Sequence, residues 1–245
     1  MKRREFVKLC ASAVAGVSAS PELLGAAKRE LHFYERVALI DPVNHKPVRA
    51  SSLEVGETYL FHYPFVSTPC FLLDLGRPVT SRENLETHDG DRYYWPGGVG
   101  PNRSVVAFSA ICAHKMSHPS QSVSFINYRR GTTSYRDHDE KVVQDAGVIY
   151  CCSEKSVYDP ALGGQVLGGP APQPLAAIAL DYVEAEDSFY ATATIGGEMF
   201  EKYFDVFGQR LVLDYERLDI HSESSGSTEL MRMQDFCTNL VLCSA

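Results

Sequence analysis

The sequence predicts an all-β protein, an antiparallel β-sandwich, and three observations predict it. Short runs rich in β-branched and aromatic residues recur along the 245-residue chain, separated by many of its 18 glycines and 13 prolines, the punctuation expected between strands. Phe189-Tyr-Ala-Thr-Ala-Thr-Ile195 alternates in the manner of a half-buried strand. Val105-Val-Ala-Phe-Ser-Ala-Ile111 is an almost unbroken apolar run of strand length. A hydrophobic content of 44% and a charged content of 22% are ordinary for a globular protein, and a chain this long can build its core without staples.

In chain order, residues 5–20 predict a helix broken at Pro21. Glu30–Ile40 predicts the first strand, stopped by Asp41-Pro42, and Thr58–Tyr63 and Cys70–Leu75 predict two more around Pro64 and Pro69. Residues 77–104 are polar and glycine-rich and are expected to form a surface insertion that contains the single tryptophan, Trp95. Tyr93-Tyr94-Trp95-Pro96 within it is either a contact surface or a segment folded back on the sheet. Residues 120–146 predict a second polar insertion, Val148-Ile-Tyr150 a returning strand, and Val166-Leu167 and Ile178–Leu180 further strands before Phe189–Ile195. After Gly197, Met199–Phe207 predicts a short amphipathic helix and Ser222–Thr228 a serine-rich linker. The helix-like apolar spacing from Leu230 to Val241 is expected to pack back on the domain or to dock a partner. The expected organisation is residues 1–29 as a targeting or anchor segment, 30–197 as the β-domain, and 198–245 as a C-terminal extension.

Lys2-Arg-Arg-Glu-Phe-Val-Lys8 before the small-residue apolar run Leu9–Ala19 looks like a twin-arginine export signal. Cleavage is expected near Ser18-Ala19-Ser20 or Gly25-Ala26-Ala27. The apolar run is shorter than a full bilayer span, yet an uncleaved segment of this kind can anchor a protein to the membrane. The expectation is a periplasmic protein carried across already folded. A formal charge of −8 disfavours nucleic acid as a partner. Of seven cysteines, Cys10 falls in the export segment; Cys237 and Cys243 are spaced to close a small loop, and Cys152 suits a buried small apolar position.

The chemistry concentrates in two stretches, Ser109-Ala-Ile-Cys-Ala-His-Lys-Met-Ser-His-Pro119 and Val148-Ile-Tyr-Cys-Cys-Ser-Glu-Lys-Ser-Val-Tyr-Asp-Pro160. Each is a β-rich run that ends in a polar turn carrying cysteine. Facing each other, the turns would present thiolate and imidazole around one metal site. The pair resembles the two ligand boxes of Rieske iron–sulfur proteins, C-x-H-x-G-C and C-x-C-H-G-S-x-(Y/F)-D. Aligned on Ser156-Val-Tyr158-Asp159, the resemblance implies Cys112, His114 and Cys151 as ligands of a [2Fe–2S] cluster, with Glu154 where the family has its second histidine. Ser117 and Ser153 stand where the family often has a disulfide between the loops. Gly168-Gly169-Pro170-Ala171-Pro172 resembles the proline loop that covers the cluster, and Ser156 and Tyr158 match hydroxyls that hydrogen-bond its sulfurs. Leu53–Glu57, Phe61–Pro64 and Val105–Cys112 are similar to the opening strands of the small Rieske subunit of arsenite oxidase-type enzymes.

The resemblance therefore implies a Rieske-type sandwich with a small cluster-binding subdomain, its loops at 109–119 and 148–175. It implies electron transfer as an accessory subunit of a periplasmic oxidoreductase, beside a larger redox subunit or a carrier such as a c-type cytochrome. Two imidazoles in place of thiolates raise such a cluster from about −400 mV toward about −150 to +300 mV. A ligating Glu154 adds a negative charge, so a lower potential is expected, with one histidine protonation lost. Lys155, His118, His138 and Cys152 are the other candidates for the fourth ligand. A zinc site on Cys112, His114 and Cys151 is a further option, although their spacing is unlike compact zinc modules. A cluster-free domain kept as a docking subunit is the alternative function.

Overall fold

The computed structural model describes residues 31–244. The export motif, the first predicted helix and both candidate cleavage sites lie outside the described residues. The strands are β1 (Leu31–Ile40), β2 (Thr58–His62), β3 (Pro69–Asp74), β4 (Arg82–Glu86), β5 (Arg92–Trp95), β6 (Val105–Ser109), β7 (Ile126–Arg129) and β8 (Thr133–Arg136). They continue with β9 (Val142–Asp145), β10 (Val148–Cys151), β11 (Ser156–Asp159), β12 (Gln165–Gly168), β13 (Ala177–Val183), β14 (Ser188–Ile195), β15 (Ser227–Glu229) and β16 (Met231–Arg232). Two α-helices, α1 (Phe200–Asp214) and α2 (Met233–Phe236), sit near the C-terminal end. The all-β expectation holds, and no described helix is long and apolar enough to cross a membrane.

Eight strands form one sheet in the order β15-β1-β14-β13-β6-β3-β2-β16, and four form a second in the order β12-β11-β10-β7. All the pairings are antiparallel except β1 with β15, which is parallel. The central strands β3 and β6 are apolar up to their last residues, Asp74 and Ser109, and both of their faces are covered. Phe71, Leu73, Val106 and Phe108 point into one apolar cluster, and Cys70, Leu72, Val105 and Ala107 into another on the opposite face. That is the period-2 alternation of a pleated strand buried twice over. The first cluster also takes Cys112, Ile149, Cys151 and Tyr158, so it is the contact between the two sheets.

Four expectations are corrected. Residues 77–104 are not a loose surface insertion: β4 and β5 pair as a hairpin, and Trp95 and Tyr93 are 3% and 5% exposed in the inter-sheet cluster. Only Tyr94 of the aromatic run faces solvent. The serine-rich stretch at 222–228 is no linker, because Ser224 is buried and Ser227-Thr228 enter β15 beside β1. Beyond it β16 pairs with β2 rather than continuing a helix. The helix expected at 199–207 runs on to Asp214; Phe200, Tyr203, Phe204 and Leu211 bury one face against Ile111 and Ile220, with Phe65 and Met116 packed alongside.

Candidate metal centre

The first turn leaves β6 and folds back at once: the Cys112 N–H donates to the Ser117 carbonyl, and the Met116 N–H to the Cys112 carbonyl, each at 2.9 Å. Helix α1 supports it from outside through Ile111 and Met116. The second turn is the tip of the β10–β11 hairpin, in which Cys151 lies directly opposite Ser156. Strand alternation sets the side chains. Ile149 and Cys151 face the inter-sheet cluster, and Tyr150 faces a smaller one behind it.

The two turns bring the Cys112 and Cys151 thiols into contact, both residues 1% exposed. The His114 and Lys115 backbone amides favour a charged Cys112 sulfur, and the Ser153 amide and Ser117 hydroxyl do the same for Cys151. The Tyr158 hydroxyl lies 3.2 Å from the Cys112 sulfur and accepts the Ala113 N–H at 3.1 Å. The hydrogen bond from Cys151, helped by Tyr158 and the two amides, outweighs burial and pulls the Cys112 thiol down. Cys151, bonded to Cys112 and buried, is pushed up in turn.

No family model matches the chain. Among solved structures it is similar to the soluble domain of the Rieske protein II (soxF) from Sulfolobus acidocaldarius. The two are 26% identical over 67% of this chain and 82% of that one, with a TM-score of 0.46.

Two buried polar atoms beside the sulfur pair have no partner: Ser156 Oγ, on the residue opposite Cys151, and His114 Nδ1. Both are what a missing bound group would satisfy. The cysteine half of the donor set therefore fits a metal centre. The other half is incomplete, since no group of three or more His, Cys, Asp or Glu side chains is close enough to hold an ion among the described residues. Glu154 reaches across to the first turn instead, where its carboxylate accepts from Lys115 Nζ at 2.6 Å, and that bond holds it below the usual carboxylate range. The pair is largely exposed, 62% and 39% by side chain, and exposed ion pairs are weakly held.

The remaining candidates fall to different places. His118 donates to or accepts from nothing near the sulfurs: its Nδ1 meets the Met116 carbonyl at 2.9 Å, and its ring packs edge-on to Tyr203 and Phe207. His138 lies against the Val166 carbonyl. Cys152 is excluded as a ligand, and as a buried small apolar residue, because it forms a disulfide with Cys243. That bond also overturns the Cys237–Cys243 loop; Cys237 is a free, buried thiol. Gly169 packs against the second turn with φ +81°, where a β-carbon would stand 2.3 Å from the Lys155 carbonyl oxygen. Pro172 lines a cleft of about 850 Å3 with His114, and Pro170 lines a smaller one with Glu154. Sequence reasoning missed Lys115, the partner of Glu154, for which a basic residue in one turn and an acidic residue in the other was the available signal.

Proposed function

We propose that this protein is a Rieske-type electron carrier whose two turns hold a [2Fe–2S] cluster through the thiolates of Cys112 and Cys151 and the imidazole of His114. The observation that carries this is the sulfur pair itself: two buried cysteines, one from each turn, packed in the same inter-sheet cluster, with the Tyr158 hydroxyl 3.2 Å from the Cys112 sulfur. When bound, the cluster supplies one-electron chemistry. The protein's own part is to place the two sulfurs together in a buried layer, to offer the Ser156 and Tyr158 hydroxyls on the strand beside them, and to cover them with Ala171 and the prolines on either side of it. Glu154 is the fourth ligand in this reading, since swinging it off Lys115 breaks only an exposed ion pair.

The cleft beside His114 fits a partner with a basic surface. Its rim carries Asp89, Asp91, Glu201 and Asp205 against a single lysine, Lys202. A periplasmic redox subunit or c-type cytochrome of that charge is the expected partner, reached through the twin-arginine motif, as an accessory subunit of a larger oxidoreductase.

The cluster-free docking subunit is the second reading, favoured by the Glu154–Lys115 pair and the missing second imidazole. Visible and EPR spectra with metal analysis of the full chain decide between them. About two irons per chain and an EPR signal on reduction support the carrier. Colourless, iron-free, folded protein overturns it, and zinc in place of iron makes it a structural site.

A further inference from the structure

The C-terminal segment after α2 has no role in the reading above, yet it is hydrogen-bonded along its length and joined covalently beside Cys151. Its start is fixed in the inter-sheet cluster by Met233 and Cys237, 2% and 3% exposed. From there it runs along residues 121–127. The Thr238 N–H donates to the Gln121 carbonyl at 2.9 Å, and Asn239 Nδ2 to the Ser122 carbonyl at 2.9 Å. The Ser124 N–H donates to the Asn239 carbonyl and the Val241 N–H to the Ser124 carbonyl, both at 2.9 Å, and Asn127 Nδ2 caps the Val241 carbonyl at 3.0 Å. It ends in the disulfide from Cys243 to Cys152, the residue next to Cys151.

We propose that residues 237–243, locked by the Cys152–Cys243 disulfide, are a redox-cleavable clamp that positions Cys151 against Cys112. The proposal rests on the reading of these two thiols as one site. The reason lies in the topology. Cys112 follows β6 of the eight-stranded sheet, and Cys151 ends β10 of the four-stranded sheet, so the sulfur pair stays together only while the sheets stay docked. Ser117 and Ser153 offer no covalent tie between the turns. The clamp supplies one from the other side: it leaves the large sheet at β16, crosses to β7, and bonds covalently to the turn that carries Cys151. Its opening balances as a thiol–disulfide exchange. A dithiol reductant gives two electrons and two protons to the Cys152–Cys243 bond, yields two thiols, and is itself left as a disulfide. The next residue then loses its tether while the β10–β11 hydrogen bonds remain.

The test uses the metal-free full chain, so that its result is independent of whether iron binds. Residue-resolved iodoacetamide labelling compares oxidised wild type, Cys243→Ser, and Asn127→Ala, which keeps the disulfide but loses a tail contact. Cys70, buried in the large sheet away from the clamp, is the internal control. Labelling of Cys151 is expected to quicken about tenfold or more in Cys243→Ser and less in Asn127→Ala, with Cys70 unchanged. An unchanged Cys151 rate overturns the proposal, as does equal acceleration at Cys70, which marks general unfolding. A peptide map of oxidised protein without the 152–243 crosslink overturns it too. Iron content measured separately tests the metal reading alone.

Discussion

Tyr150 and Tyr158 face away from each other on neighbouring strands, both fully buried, and they make a matched experiment. The Tyr158 hydroxyl serves two groups, the Ala113 N–H at 3.1 Å and the Cys112 sulfur at 3.2 Å. The Tyr150 hydroxyl has no partner. Tyr158→Phe strands a buried backbone N–H, which costs about 1–3 kcal/mol, so a loss of about 2 kcal/mol is expected. For a chain of this size that lowers the melting temperature by about 4–8 °C. Tyr150→Phe removes a hydroxyl already denied both water and partner, and is expected to be neutral or to stabilise by up to about 1 kcal/mol. Thermal and urea unfolding of the metal-free variants measure both. Equal losses would refute the assignment, because only the partners of the two hydroxyls differ. In loaded protein, Tyr158→Phe also removes a donor from a ligand sulfur and lowers the reduction potential.

Glu154→His restores an imidazole and removes a negative charge, so a ligating position raises the potential on the order of 100 mV; an unchanged potential in redox titration removes Glu154 from the ligand set. Gly169→Ala forces a β-carbon against the Lys155 carbonyl at a positive φ, and a loss of at least about 2 kcal/mol is expected by urea unfolding. His62 is held neutral by burial, with the Arg217 charge adding to the effect, and its pKa falls to about 4. Above about pH 6.5 it is neutral in both states and contributes nothing. As pH falls toward about 4 the unfolded chain takes up the proton first, so stability drops, by on the order of 3 kcal/mol. His62→Gln is expected to flatten that part of the stability–pH curve, and an identical slope in the variant counts against it.

The strands legible in the sequence were those whose side chains carry the pattern: β1, β2, β3, β6 and β14 appear where aromatic and β-branched residues gather or alternate. The hairpin β4–β5 was hidden because Tyr93, Tyr94 and Trp95 are all aromatic, so nothing distinguishes the buried pair from the exposed Tyr94. Strand β15 was hidden for the opposite reason. It joins β1 through main-chain groups, and Ser-Thr-Glu gives no apolar signal. At the centre, the ligand boxes marked Cys112 and Cys151, which the structure brings together. They could not show Glu154 turned to Lys115, which depends on two turns meeting in space. Nor does spacing encode a disulfide closed over a separation of 91 residues.

The single tryptophan shares its apolar layer with both sulfurs, so the protein carries an intrinsic fluorophore at the seam that holds the two cysteines together. Neither ladder of strands can grasp an ion alone, since each contributes one cysteine. Parting the ladders exposes the indole and separates the thiols in the same event, and a red shift in emission should therefore coincide with faster iodoacetamide labelling of Cys151 along a denaturant titration.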